Sequence, residues 1–145
     1  MARPTCVKAD LQLRLVVAGS KPLPVRAGLR YDQQDPYAVQ VAFYTGASGQ
    51  GDVVEWTFAR SLLSEGMAGP AGDGDVQVWP SRSTAGPVTC LSLSSPSGRA
   101  LFEVPLPELS GFLAETYRAV PAGTEGDHVD VEAELALLLW AGPGA

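Results

Sequence analysis

A chain of 145 residues with 46% hydrophobic and only 18% charged side chains can bury a core of its own, and a single domain over residues 1–145 is expected. The net charge of −6 argues against a partner held mainly by phosphate contacts, which needs clustered Lys and Arg. No stretch approaches the ~18 apolar residues of a membrane span, and MARPTCVKAD lacks the apolar run of a secretory signal, so a cytoplasmic protein without membrane insertion is expected.

Charge is distributed unevenly. Arg3, Lys8, Arg14, Lys21, Arg26 and Arg30 face only Asp10 among residues 1–30. Glu125, Asp127, Asp130, Glu132 and Glu134 meet no Lys or Arg among residues 119–145, so the two ends should attract. Cys6 and Cys90 are the only thiols and sit in no CxxC or Cys/His spacing, so reduced cysteines are expected and neither a zinc site nor a disulfide framework is indicated.

Along the chain, Val7, Ala9, Leu11, Leu13, Leu15 and Val17 alternate with Lys8, Asp10, Gln12 and Arg14, the period of a half-buried strand. Val25, Ala27, Leu29 and Tyr31 repeat the pattern, as do Tyr37, Val39, Val41 and Phe43, all four expected to face inward. After the loop Gly46 to Gly51, Val54, Trp56 and Phe58 share a face. The short connections imply a four-stranded antiparallel meander. Ala59 to Glu65 reads as one short helix stopped by Gly66.

Three more strands are predicted near Val76 to Trp79, Val88 to Leu93 and Ala100 to Val104, with Pro80 ending the first of them. Then the period changes. Leu106, Leu109, Phe112, Leu113 and Tyr117 mark one face of a helix, and Asp130 caps a second in which Val131, Leu135, Leu138 and Leu139 form a stripe. Leu137 and Trp140 lie partly off that stripe and read either as core or as an oligomer contact. The fold class is α+β: about seven mostly antiparallel strands, a short inserted helix and two C-terminal helices.

The chemistry offered is sparse. His128 is the only histidine, with no Ser or Cys placed by a known motif, and reads as a loop residue. Asp73-Gly74-Asp75 lacks the spaced ligands and closing Glu of a calcium loop, and the glycine clusters form no nucleotide-binding signature. No catalytic residue, metal ligand or cofactor-binding residue is assigned, and no cofactor is expected. One electrostatic constellation remains. Lys8 and Arg14 on the first strand and Arg26 and Arg30 on the second would project from one sheet face if the two strands pair. That face reads either as a solvated surface or as a dock for an acidic polypeptide or single-stranded nucleic acid. Trp79 reads as core, subunit contact or ligand platform, and Arg82 follows it as a further candidate contact.

Several ordered segments carry a family resemblance: LRLVV at Leu13 to Val17, AGLRYD at Ala27 to Asp32, DPYAV at Asp35 to Val39, WTFARSLLSEG at Trp56 to Gly66 and GDVQVWPSR at Gly74 to Arg82. LSSPSG at Leu93 to Gly98, Phe112-Leu113 and VPAGTE at Val120 to Glu125 continue the series almost to the end of the chain. The sequence resembles the SsgA-like proteins, regulators of sporulation-specific cell division in filamentous actinobacteria, and its spacing is most similar to the SsgB branch. The resemblance implies a whirly-like fold assembled as a homo-oligomer, described as a trimer. It also implies a non-enzymatic role at division septa, with the tubulin-like division GTPase and other SsgA-like proteins as partners. The alternative is a whirly-like single-stranded nucleic-acid-binding regulator, against which stands the lack of a basic groove with interleaved aromatics.

Overall fold

The computed structural model describes residues 6–44, 53–96 and 98–128. Seven strands form one antiparallel sheet. They are β1 (Cys6–Leu15), β2 (Leu23–Asp32), β3 (Ala38–Tyr44), β4 (Val53–Ala59), β5 (Val76–Ser83), β6 (Gly86–Ser95) and β7 (Gly98–Pro105). Helix α1 (Arg60–Ala68) separates β4 from β5, α2 (Leu106–Ala119) follows β7, and a 3-10 turn covers Glu125–His128. The spatial order is β4-β3-β2-β1-β7-β6-β5, so two meanders meet where the last strand returns beside the first. The predicted second C-terminal helix from Asp130, with Leu137 and Trp140, lies outside the described residues.

Alternation decides which face each strand buries. Leu11 and Leu13 of β1, Ala27, Leu29 and Tyr31 of β2, Val39, Val41 and Phe43 of β3 and Phe58 of β4 join one core with Val78, Leu91, Leu93, Phe102 and Val104. Leu63 from α1 and Leu109, Phe112 and Leu113 from α2 cover that face. The sheet curls strongly around this core. Phe43 and Phe102 lie three strand positions apart, ~14 Å in a flat sheet, yet their ring centroids stack at 4.7 Å. The helix-covered face is therefore concave, and the opposite face carries no helix among the described residues.

Three local expectations are corrected. Tyr37 does not face inward: the turn from Asp32 to Ala38 leaves it outside β3 and 54% exposed, while its carbonyl accepts the Arg60 N–H at 2.7 Å. Gly66 does not stop α1 but lies buried within it, because the helix crosses β5 so closely that a side chain there would collide with Val78. Pro80 does not end β5, which runs on to Ser83. Val78 exchanges backbone bonds with Ala71 on the side away from β6, so by alternation the missing N–H of Pro80 also points to the outer edge and no ladder bond is lost. In the β5–β6 turn Gly86 adopts φ +131°, a conformation that side-chain-bearing residues rarely take.

Candidate partner-binding surface

The register places the four cations singled out from sequence. In the β1–β2 ladder Lys8 stands opposite Arg30, Gln12 opposite Arg26 and Arg14 opposite Pro24. All four cations occupy positions that alternate with core residues, so Lys8, Arg14, Arg26 and Arg30 share the open face and are exposed. Like charges directly opposite repel, which makes the Lys8–Arg30 pair a position that favours an added anion.

Carboxylates interleave with these cations. Arg30 lies 3.7 Å from Asp32 and donates from Nε to Cys6 Sγ at 3.3 Å. Arg14 sits opposite Glu103 of β7, and Asp10 separates Lys8 from Gln12 along the strand. Between them the ring of Tyr44 lies across Gly28: a Cβ on that glycine would stand 3.5 Å from Tyr44 Oη and 3.6 Å from Asp10 Oδ1. The result is a concavity of about 270 Å³ bounded by Lys8, Asp10, Arg30, Gln40, Tyr44 and Glu55. It offers both signs of charge and several hydrogen-bonding groups, a chemistry suited to a polypeptide.

Trp79 and Arg82 are separated by the fold. Trp79 pairs with Cys90, which pairs with Glu103, which pairs with Arg14, so one row of cross-strand neighbours runs over the open face from β5 to β1. Trp79 is half-buried there, and burial pushes the Cys90 thiol up from its ordinary value. Arg82 alternates with the row and projects from the opposite side of β5, exposed, near the turn to Gly86. Both cysteines are free thiols. The side chain of His128 lies outside the described residues, and among those described no group of three His, Cys, Asp or Glu side chains is placed to hold a metal ion.

Sequence reasoning passed over Arg60. Its side chain is 1% exposed; Nη1 donates to the Thr116 carbonyl at 3.0 Å and the Val120 carbonyl at 2.7 Å, and Nη2 donates to Glu125 at 2.8 Å. The guanidinium lies 4.0 Å from the Tyr117 ring centroid and 5.0 Å from that of Tyr31. It thus satisfies carbonyls at the end of α2, where the helix dipole is negative, and fixes the segment leaving that helix. The signal was present: Arg60, Leu63 and Met67 follow helical spacing on the face that packs inward.

A family model described as Streptomyces sporulation and cell division protein, SsgA, matches residues 25–125, which include Arg26 and Arg30 of β2 and the Arg60 anchor but not β1. The chain belongs to this family. A sporulation-specific cell division protein SsgB of Frankia casuarinae is 59% identical over 137 residues, 94% of each chain. The SsgB protein of Streptomyces coelicolor is 54% identical over 135 residues, 93% of this chain and 96% of its own. Among solved structures, an SsgA-like sporulation-specific cell division protein from Thermobifida fusca superposes with a TM-score of 0.82 at 40% identity, covering 94% of this chain and 97% of that one. A second, from work on SsgB mutations and longitudinal cell division in Streptomyces coelicolor, gives a TM-score of 0.81 at 56% identity over 86% of this chain and 95% of that one. This SsgA-family chain therefore has a role in sporulation-specific cell division.

Proposed function

We propose that this SsgA-family protein is a non-enzymatic, homo-oligomeric scaffold, trimeric by family resemblance, that acts in the cytoplasm at division septa and helps localise the tubulin-like division GTPase. The observation that carries the reading is the open sheet face, where Lys8 stands directly opposite Arg30 and Arg26 follows four residues along β2, uncovered by any described helix. An acidic segment of a partner would relieve the repulsion between Lys8 and Arg30 and extend over the concavity at Gly28. Other SsgA-like proteins are the second class of partner. Whether Leu137 and Trp140 belong to the oligomer contact is a separate matter for cross-linking.

The test is co-sedimentation of the purified protein with filaments of the division GTPase from the same organism, with a labelled oligonucleotide titrated in parallel. Replacing Lys8, Arg14, Arg26 and Arg30 together by Gln is expected to abolish co-sedimentation and flatten its salt dependence. Unchanged binding and salt dependence would remove the basic face from the assignment. Tight oligonucleotide binding without co-sedimentation would favour the nucleic-acid alternative, which the interleaved Asp10, Asp32, Glu55 and Glu103 disfavour.

A further inference from the structure

The ladder between β1 and β7 is unusually short. β1 pairs with β2 over all ten of its residues, but with β7 only at Arg14↔Glu103 and Leu15↔Phe102. The cause is in the sequence of β7. The next residue due to pair is Pro105, which has no N–H to donate, and the chain then turns into α2 at Leu106. The remainder of that β1 edge has no strand beside it among the described residues.

The phase of the strand shows which groups are left over. Val16 donates its N–H to the Leu101 carbonyl at 2.8 Å, so the even-numbered residues of β1 aim their backbone groups toward β7. Beyond Arg14 these include Gln12 and Asp10, and among the described residues the N–H and C=O of each face the gap without a backbone partner there. The gap is a groove of about 850 Å³. Its rim includes Pro22, Pro24, Pro87 and Pro107, whose rings lower the entropy lost on closing around a ligand. Its charges are Asp10, Glu103 and Glu108 against the single cation Arg14, and among the described residues none of the three carboxylates has an ion pair.

We infer that this groove is a strand-addition site for an extended, basic segment of a partner polypeptide. The segment would lie along β1, exchange backbone hydrogen bonds with Asp10 and Gln12, and aim Lys or Arg side chains at Glu103, Glu108 and Asp10. This is opposite in charge preference to the open-face contact and uses the backbone edge of β1 where that contact uses its side-chain face, with Asp10 and Arg14 bordering both. It draws on the reading of the protein as a scaffold only in expecting a polypeptide.

The probe is a short acetylated and amidated peptide alternating Lys and Val, with two comparison peptides: one carrying Glu in place of Lys, the other N-methylated at alternate amides. Amide resonances of the full chain are followed during titration. The Lys peptide is expected to bind saturably, to shift the Asp10 and Gln12 amides and to slow their hydrogen exchange. Glu103→Gln with Glu108→Gln should weaken it roughly tenfold. Gln12→Pro, which removes an N–H that does not serve the β2 ladder, should also weaken it, and a thermal melt checks that this variant folds. N-methylation, which keeps the charge, should prevent binding even if Gln12→Pro does not fold.

Equal binding of the Glu peptide or the N-methylated peptide would overturn the assignment, as would shifts confined to the β2–β3 face. So would protection of the Asp10 and Gln12 amides that grows with protein concentration alone, since a second copy would then own the groove. Failure of the peptide leaves filament co-sedimentation untouched, so the two readings are tested separately.

Discussion

Arg60, the first residue of α1, donates from Nη1 to the carbonyl of Val120, the residue that closes α2, at 2.7 Å. One guanidinium thereby ties the two helices and, through Glu125, the segment that follows them. A buried cation is tolerated only because three acceptors and two aromatic faces replace its water. Arg60→Ala should lower stability by about 3–5 kcal/mol, since it leaves carbonyls and a carboxylate without their donor as well as a void. Arg60→Lys should fall between, because a single ammonium cannot reproduce the fork. Urea unfolding checks both, and an unchanged midpoint in Arg60→Ala would refute the anchor.

Acid should loosen the same anchor. Glu125 is held below its usual 4.5, first by its own backbone N–H, then by Arg60 and with a further contribution from the Gly123 N–H. A depressed carboxylate favours the fold when ionised, so its contribution is complete above about pH 4.5 and disappears as pH falls through the lower folded value. Glu125→Gln should therefore show a smaller acid-induced loss of stability than the parent chain. Parallel pH profiles of the two would contradict this.

Thr89 carries a buried hydroxyl with no partner among the described residues, beside a core cavity of about 20 Å³ lined otherwise by apolar side chains. A water there would find one polar neighbour where it needs two or more, so the hydroxyl stays unsatisfied. Thr89→Val keeps the shape and removes the penalty. It should raise stability by about 1 kcal/mol, read as a higher melting temperature. A fall would mean that the hydroxyl has a partner.

Gly66→Ala sets two effects against each other. Alanine is the better helix former by ~1 kcal/mol, but its Cβ would collide with Val78 Cγ1 and stand 2.5 Å from Val78 Cβ. Val78 is fully buried and β-branched, so it cannot rotate away, and overpacking at about 1–3 kcal/mol should win. The substitution is expected to destabilise the wild type and to cost less in a Val78→Ala background. A double-mutant cycle without coupling would refute the close approach.

Particular residues show how far sequence reading reached. The alternation from Val7 to Leu15 gave β1 and its buried side, because period two is a local property of the extended chain. Tyr37 misled because it keeps that period while sitting one residue before the strand, in a turn set by bonds to Asp32 and Asp35. Pro80 misled because its effect depends on whether its nitrogen faces a neighbour or an edge. The open-face cations could be grouped by parity alone, but the pairing of Arg30 with Asp32 and the place of Glu103 opposite Arg14 required the register.

The sequence by itself determined the α+β class, the antiparallel pairing, the apolar face of α2 and membership of the sporulation division family, since periodicity, short connections and ordered segments are carried along the chain. Only the tertiary structure decided that Arg60 is an anchor, that Gly66 lies inside its helix and that, among the described residues, part of the β1 edge has no strand beside it. Each depends on which residue comes to lie opposite another: Arg60 meets Thr116 and Glu125 across separations of 56 and 65 positions. A local period records which way a side chain points, but it cannot record what it will meet.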